Sequence, residues 1–153
     1  MKKKPENQLI SNRKAFHNYE IIETYEAGIV LQGTEIKSIK EHHASFQDSY
    51  VIIKKRELWL INCSIMPYKF GNVYNHEEKR ARKLLMHKNE ILKLHKQIQE
   101  KGLSIIPLSF YLKKGNIKIK IALAKGKKAY DKRNKLKERE DKKDINKAIK
   151  YGR

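Results

Sequence analysis

Cysteine occurs once in this chain of 153 residues, proline three times and glycine seven times. A lone thiol, Cys63, excludes an internal disulfide, and its neighbours Leu60, Ile61 and Ile65 predict a buried sulfur rather than a nucleophile. No apolar run approaches the ~20 residues that a helix needs to span a bilayer. Met1 to Glu6 passes into polar sequence without the apolar stretch of a signal peptide, so a cytoplasmic, membrane-free protein is expected. Acidic residues are scarce too: 17 Asp+Glu stand against 36 Lys+Arg, a formal charge of +19. That surplus exceeds the needs of solubility and suits a chain that neutralises a polyanion. Nucleic acid is a better candidate than an anionic membrane, because the basic C-terminal part lacks the broad apolar face of a membrane-surface helix.

Catalytic signatures are missing as well. The chain has no glycine loop to cradle a phosphate, no nucleophile elbow and no paired carboxylates with an evident base. Of its six histidines, His42 and His43 are adjacent, and His87 and His95 stand eight apart without a cysteine pair or carboxylate at ligand spacing. Neither a metal nor any other cofactor is expected. The enzyme reading to weigh is a metal-dependent nuclease using Glu23, Glu26 and Glu35, but in a strand Glu23 faces away from Glu26. No enzyme is expected.

What is present is strand patterning. Ile117, Ile119, Ile121 and Leu123 alternate with Lys118, Lys120, Ala122 and Ala124, the period of two that sends one set of side chains into a core. Ser104 to Leu112 pairs with this strand as a hairpin across Lys113 to Asn116, and Pro107, which cannot donate to a ladder, predicts an edge or a kink there. Tyr50 to Ile53 and Leu58 to Leu60 form a second hairpin, without the glycine that usually marks such a turn. Another strand runs from Tyr19 towards Leu31, where Gly28 predicts a bulge or the close approach of another backbone. Helices are expected over Asn12 to Asn18, after Thr34 as cap with Ile36 and Ile39 inward, and around Ile91, Leu94, His95 and Ile98 up to Gly102. Residues 67–79 read as one long loop. Many strands, few helices and no βαβ alternation favour an antiparallel barrel. The predicted organisation is a flexible segment 1–11, a barrel domain 12–124 and a basic tail 125–153.

Asn12 to Ile21 (NRKAFHNYEI) and Glu26 to Lys40 (EAGIVLQGTEIKSIK) closely resemble the SmpB family, the proteins that bind SsrA RNA (tmRNA). DSYVII (Asp48 to Ile53), WLINCSIMPY (Trp59 to Tyr68), RARKLLMHKNEI (Arg80 to Ile91) and ALAKGKKAYDKR (Ala122 to Arg133) follow in the family's order over nearly the whole chain. The sequence departs from the family at Glu78, where proline is common, which predicts a looser loop. The resemblance implies a mainly β protein, an oligonucleotide-binding (OB-fold-like) antiparallel β-barrel with flanking helices and a C-terminal tail disordered when free. It implies an adaptor of trans-translation, which binds the tRNA-like domain of tmRNA and brings it to stalled ribosomes beside the elongation factor that delivers aminoacyl-tRNA. An ordinary ribosomal or general RNA-binding protein is the alternative that composition leaves open. A monomer is the default expectation.

Arg80, Arg82 and Lys83, followed by Leu84, Leu85 and His87, set a cationic cluster beside apolar anchors, which is either a solvated strand edge or an RNA contact. The resemblance, together with His17, Glu26 and Lys37, makes this the surface for the tRNA-like domain. Glu26 supplies an acceptor for a base amino group or a 2′-hydroxyl, and Asn12 and Arg13 pin backbone phosphates. The tail from Lys125 to Arg153 carries thirteen Lys/Arg and five Asp/Glu, a net +8. Its scarce apolar residues, Leu136, Ile145 and Ile149, cannot offset the entropy of ordering. Asp131 with Lys135 and Glu138 with Lys142 are favourable i,i+4 pairs, so a helix that forms on contact with RNA is expected, against the alternative of a solvated charge run. By the resemblance, Lys125, Lys127, Lys128, Tyr130, Asp131, Lys132, Arg133, Ile145 and Ile149 contact the ribosome near the decoding centre and the mRNA channel of the small subunit, with Tyr130 stacking on a base.

Overall fold

The computed structural model describes residues 8–71 and 75–126. In chain order the elements are β1 (Gln8–Ser11), α1 (Arg13–Asn18), β2 (Tyr19–Ile29), α2 (Gly33–Lys40), β3 (Ala44–Ser45), β4 (Tyr50–Lys54), β5 (Glu57–Ile61), β6 (Ser64–Ile65), β7 (Arg82–Leu85), α3 (Lys88–Lys101), β8 (Ser104–Lys113) and β9 (Asn116–Gly126). Every pairing is antiparallel. The large sheet runs β8-β4-β5-β7-β2-β9 and returns to β8, so it closes into a ring, with β1 added on β8 and β3 pairing β6 separately. Closure removes the exposed strand edges that would otherwise template aggregation. The expected antiparallel barrel is therefore present as a ring-like sheet.

Period-two patterning fills this ring. Ile119, Ile121 and Leu123 of β9, Leu58 and Leu60 of β5, Leu84 of β7, and Ile105 and Phe110 of β8 form one buried cluster, with Phe46 and Phe110 at a centroid distance of 4.7 Å. The other face of β9 has a different task. Ala122 and Ala124 are buried with Ala15 of α1, Ile106 and Leu108 in a second, smaller cluster outside the ring. Small side chains at these positions let the helix lie close on the sheet, which is why the strand is buried on both faces at its C-terminal end. One end of the ring's core is completed by α3, whose Ile91 and Leu94 are buried while His95 is exposed. Gly102 ends the helix in the left-handed region at φ 64°, donating its N–H to the Ile98 carbonyl at 2.9 Å.

Several boundaries differ from the sequence expectation. Gln8–Ser11, expected to be loose, is a strand on β8, and Lys125 and Gly126, expected in the tail, extend β9 opposite Glu20 and Tyr19. The cap of α2 is Gln32 rather than Thr34: the Glu35 carboxylate accepts the Gln32 N–H at 2.8 Å, and a side chain chosen for burial thus also caps the helix. Gly28 sits in a regular part of β2. The register shift lies between Ile21 and Glu23, and an added Cβ at Gly28 would meet the Leu85 side chain at 3.3 Å, not a backbone. Pro107 marks a register shift in β8, as its missing N–H predicts. No helix among the described residues is long and apolar enough to cross a membrane.

The β4–β5 turn places Lys55 and Arg56 at φ 53° and 65°, the left-handed pair of a two-residue hairpin loop normally given to Asn-Gly. A left-handed non-glycine residue costs ~1–2 kcal/mol, partly offset by the greater unfolded-state freedom of glycine. Arg56→Gly is expected to raise stability by ~1 kcal/mol, read as a higher urea midpoint at unchanged slope. A lower midpoint would show that Arg56 makes contacts worth more than the backbone relief.

Candidate nucleic-acid interface

The RARK segment decides most of the expected cluster. Strand alternation puts Arg82 on the same face of β7 as Leu84, and both are buried, Arg82 with no exposed surface at all. Its Nε donates to Glu35 at 2.6 Å, Nη1 to the Cys63 carbonyl at 2.7 Å, and Nη2 to the carbonyls of Glu78 at 3.0 Å and Glu77 at 3.3 Å. The expectation that Arg82 belongs to a cationic surface is corrected, because its guanidinium is fully buried and each of its three nitrogens donates to a protein acceptor. Arg80 lies half-buried, with Nη2 at 2.5 Å and Nε at 3.3 Å from the Glu35 carboxylate and Nη2 also 3.4 Å from the Val30 carbonyl. Lys83 points to the other face and pairs with Glu57 at 2.5 Å. His87 is exposed at the N-cap of α3, where its carbonyl accepts from Glu90 and Ile91 and its ring makes no capping bond.

Glu35 therefore receives two guanidinium groups and one backbone N–H. Burial pushes its carboxyl up, but the hydrogen bonds from Arg80 and Gln32 and the charge and hydrogen bond of Arg82 outweigh burial, and the net shift is downward. Beside this group, burial pushes the Cys63 thiol up to about 12, which makes it inert, as its apolar neighbours predicted.

Glu26 faces outward on β2, opposite Lys120, with Gly28 of the same strand opposite Lys118. Its carboxylate accepts from the Tyr111 hydroxyl and from Lys113 at 3.1 and 3.2 Å. The Tyr111 hydrogen bond, then that of Lys113, holds it below the usual carboxylate range, while burial and the Glu26 charge push the Tyr111 hydroxyl up. A carboxylate has about four acceptor sites, so capacity remains for a base or a 2′-hydroxyl. The sequence reading omitted Tyr111, Lys113, Lys118 and Lys120 from this site. The signal was there: Lys118 and Lys120 alternate with buried isoleucines and so had to face outward.

Arg13 and His17 are exposed at the start and the end of α1. Asn12 is turned inward instead, its Nδ2 donating to the Pro107 carbonyl and its N–H to that of Leu108, both at 2.8 Å, so it pins α1 to the kink in β8 rather than offering its amide to a phosphate. Lys37 is exposed on α2 with its Nζ 5.3 Å from the Tyr68 ring centroid. Lys125 is exposed on β9, while Lys127, Lys128, Tyr130, Asp131, Lys132, Arg133, Ile145 and Ile149 lie outside the described residues. The carboxylates of the nuclease reading are not assembled: Glu35 is buried between arginines and Glu26 is held outside the ring. Among the described residues no group of three or more His, Cys, Asp or Glu is placed to hold a metal ion.

The arrangement is a ring whose outer face carries lysines around one acceptor carboxylate, flanked by short helices bearing Arg13, His17 and Lys37. Comparison with known proteins agrees with it. The family model described as SmpB protein matches residues 9–151. An SsrA-binding protein of Protochlamydia amoebophila is 62% identical over 94% of each chain, one of Chlamydia muridarum is 54% identical over 94% of this chain and 95% of its own, and one of Desulforudis audaxviator is 52% identical over 97% of each. A solved chain described as "tmRNA-SmpB: a journey to the center of the bacterial ribosome" superposes with a TM-score of 0.67 at 45% identity, covering 89% of this chain and 92% of that one. Likeness of this extent is not confined to a shared module, and it settles membership: the chain belongs to the SmpB family of SsrA-binding proteins.

Proposed function

We propose that this chain binds the tRNA-like domain of tmRNA and brings it to stalled ribosomes for trans-translation, standing in for the anticodon arm that the RNA lacks. The observation that carries this reading is 62% identity to an SsrA-binding protein over 94% of both chains. The closed ring supports it by presenting Glu26, Lys113, Lys118 and Lys120 on one rigid face, with Arg13, His17, Lys37 and Arg80 on the adjoining elements. Lysines supply affinity through phosphates, and Glu26 supplies selectivity. The tail, from Lys127 through Tyr130, Asp131, Lys132, Arg133, Ile145 and Ile149, is assigned to the decoding centre and mRNA channel of the small subunit. The chain acts as a monomeric, cytoplasmic adaptor beside the elongation factor that delivers aminoacyl-tRNA. It performs no catalysis itself, since peptide transfer belongs to the ribosome and charging to the alanyl-tRNA synthetase.

A gel-shift titration of tmRNA against bulk tRNA at two salt concentrations tests the reading. A clear preference for tmRNA is expected, and equal binding of bulk tRNA would favour a general RNA-binding protein. Within the same assay Lys37→Ala is expected to weaken binding and reduce the slope of log K against log salt by ~0.7–0.9, the value of one phosphate contact. An unchanged slope would remove Lys37 from the phosphate-binding set.

A further inference from the structure

The excursion between β6 and β7 has a built base and an exposed aromatic end. Ser38 of α2 donates to the Met66 carbonyl at 2.7 Å, Thr34 Oγ1 and His76 Nδ1 are 2.8 Å apart, and His76 Nε2 lies 2.8 Å from the Ile65 carbonyl. Asn75 then clamps Tyr68 at two points, its Oδ1 accepting the Tyr68 N–H at 3.1 Å and its Nδ2 donating to the Tyr68 carbonyl at 2.8 Å. Gly71 makes room for that clamp, since an added Cβ would fall 2.9 Å from Asn75 Cγ. Glu78, expected to loosen the loop, holds it: its carbonyl accepts from Ile65 and Arg82, and its carboxylate from Ser64 at 2.5 Å.

What this base carries is two rings and two ammonium groups. Tyr68 and Phe70 stand edge to face with centroids 5.7 Å apart at 69°. Lys37 Nζ lies 5.3 Å from the Tyr68 ring and Lys69 Nζ 5.7 Å from that of Phe70. Phe70 is 75% exposed, the largest value for any large apolar side chain among the described residues. An apolar protein partner would have to desolvate both ammonium groups to reach the rings. A strand of RNA uses both kinds of group at once, base on ring and phosphate on ammonium.

We propose that Lys37, Tyr68, Lys69 and Phe70 form a stacking platform for an unpaired nucleobase of the bound RNA, the Phe70 ring taking the face of the base and the two lysines the flanking phosphates. This rests on the RNA-binding reading above and adds to it the kind of nucleotide recognised. Bases inside an A-form duplex are already stacked on both faces, so the occupant comes from a loop or bulge.

Titration of a tmRNA transcript with Phe70→Ala, Phe70→Leu and Phe70→Tyr tests it. The alanine and leucine variants are expected to lose affinity about fivefold to a hundredfold, and the tyrosine variant to bind like the unmodified chain. Phe70 points into solvent, so all three should keep the thermal midpoint of the parent. Full affinity in the leucine variant would show a generic apolar contact, and full affinity in the alanine variant would show no contact, and either overturns the platform. If the unmodified chain does not prefer tmRNA to bulk tRNA, the parent reading falls and this one with it. If that preference is intact while Phe70→Ala is silent, only the platform falls.

Discussion

Arg82→Ala should cost the fold ~3–5 kcal/mol, the range for breaking a buried ion pair by removing one partner. Set against a total stability of ~5–15 kcal/mol for a natural domain, that is enough to unfold a large share of the molecules. The loss has two sources. Removing the guanidinium leaves the Cys63 carbonyl without this donor, and a buried acceptor left unpaired costs ~1–3 kcal/mol, while the Glu77 and Glu78 carbonyls keep the N–H groups of Arg80 and Ile65. It also leaves the buried Glu35 carboxylate with Arg80 as its only charged partner among the described residues. Arg82→Lys should be nearly as damaging, because one ammonium cannot reproduce the fork that reaches Glu35 and Cys63 together. The measurement is urea unfolding, and a loss below ~1 kcal/mol would show that the ring relaxes around the gap.

The same cluster sets an acid limit. Glu35 has a folded value below its ordinary 4.5, so as pH falls below about 4.5 the unfolded chain takes up a proton that the folded chain resists. Its contribution is fully present at neutral pH and is lost as pH drops through the folded value. Acid unfolding should therefore be shallower in Glu35→Gln than in the parent, even though that variant is less stable at neutral pH.

How Arg82 came to be expected on the surface shows where reading a sequence succeeds and where it stops. Period two counted back from the buried Leu84 already put Arg82 on the inner face, but a charge in a core needs a partner, and Glu35 stands 47 residues away on α2. Local pattern carries no trace of that pairing. The β8–β9 hairpin, α3 and its Gly102 stop, and the buried Cys63 were legible because short-range periodicity and turn chemistry fix them. β1 was not, since Gln8–Ser11 is too short to display a period even though Ile10 is buried in the core and Leu9 packs against it. Ring closure through Val51 and Ile105 is likewise a long-range contact. On the interface, the family resemblance pointed to Arg13, His17, Glu26 and Lys37, all exposed. That reading misread Asn12, whose amide serves a proline kink 95 residues away. The Tyr68–Phe70 ring pair was hidden in a stretch that reads only as loop.

Truncation after Tyr130 should leave tmRNA affinity within ~3-fold of the full chain, under ~0.7 kcal/mol, yet abolish peptide tagging. The first half follows from what the described part of the chain contains. Leu123 and Ala124 are fully buried and Gly126 is the last described residue paired to β2, so every described strand of the ring and its outward lysines survive the cut. The second half follows from the proposed division of labour. The cut removes Asp131, Lys132, Arg133, Ile145 and Ile149 while sparing Tyr130, so a lone stacking ring would remain without the charges and apolar residues meant to hold the tail along an emptied mRNA channel. Tag transfer on ribosomes stalled at the end of a truncated message, measured beside a gel shift with the same protein, separates the outcomes. Joint loss would mean that the tail takes part in holding the RNA, and the ring alone is not the grip. Joint retention would mean that the charge run past residue 130 is solvated and silent, and recognition of the empty ribosome would then have to come from the ring itself.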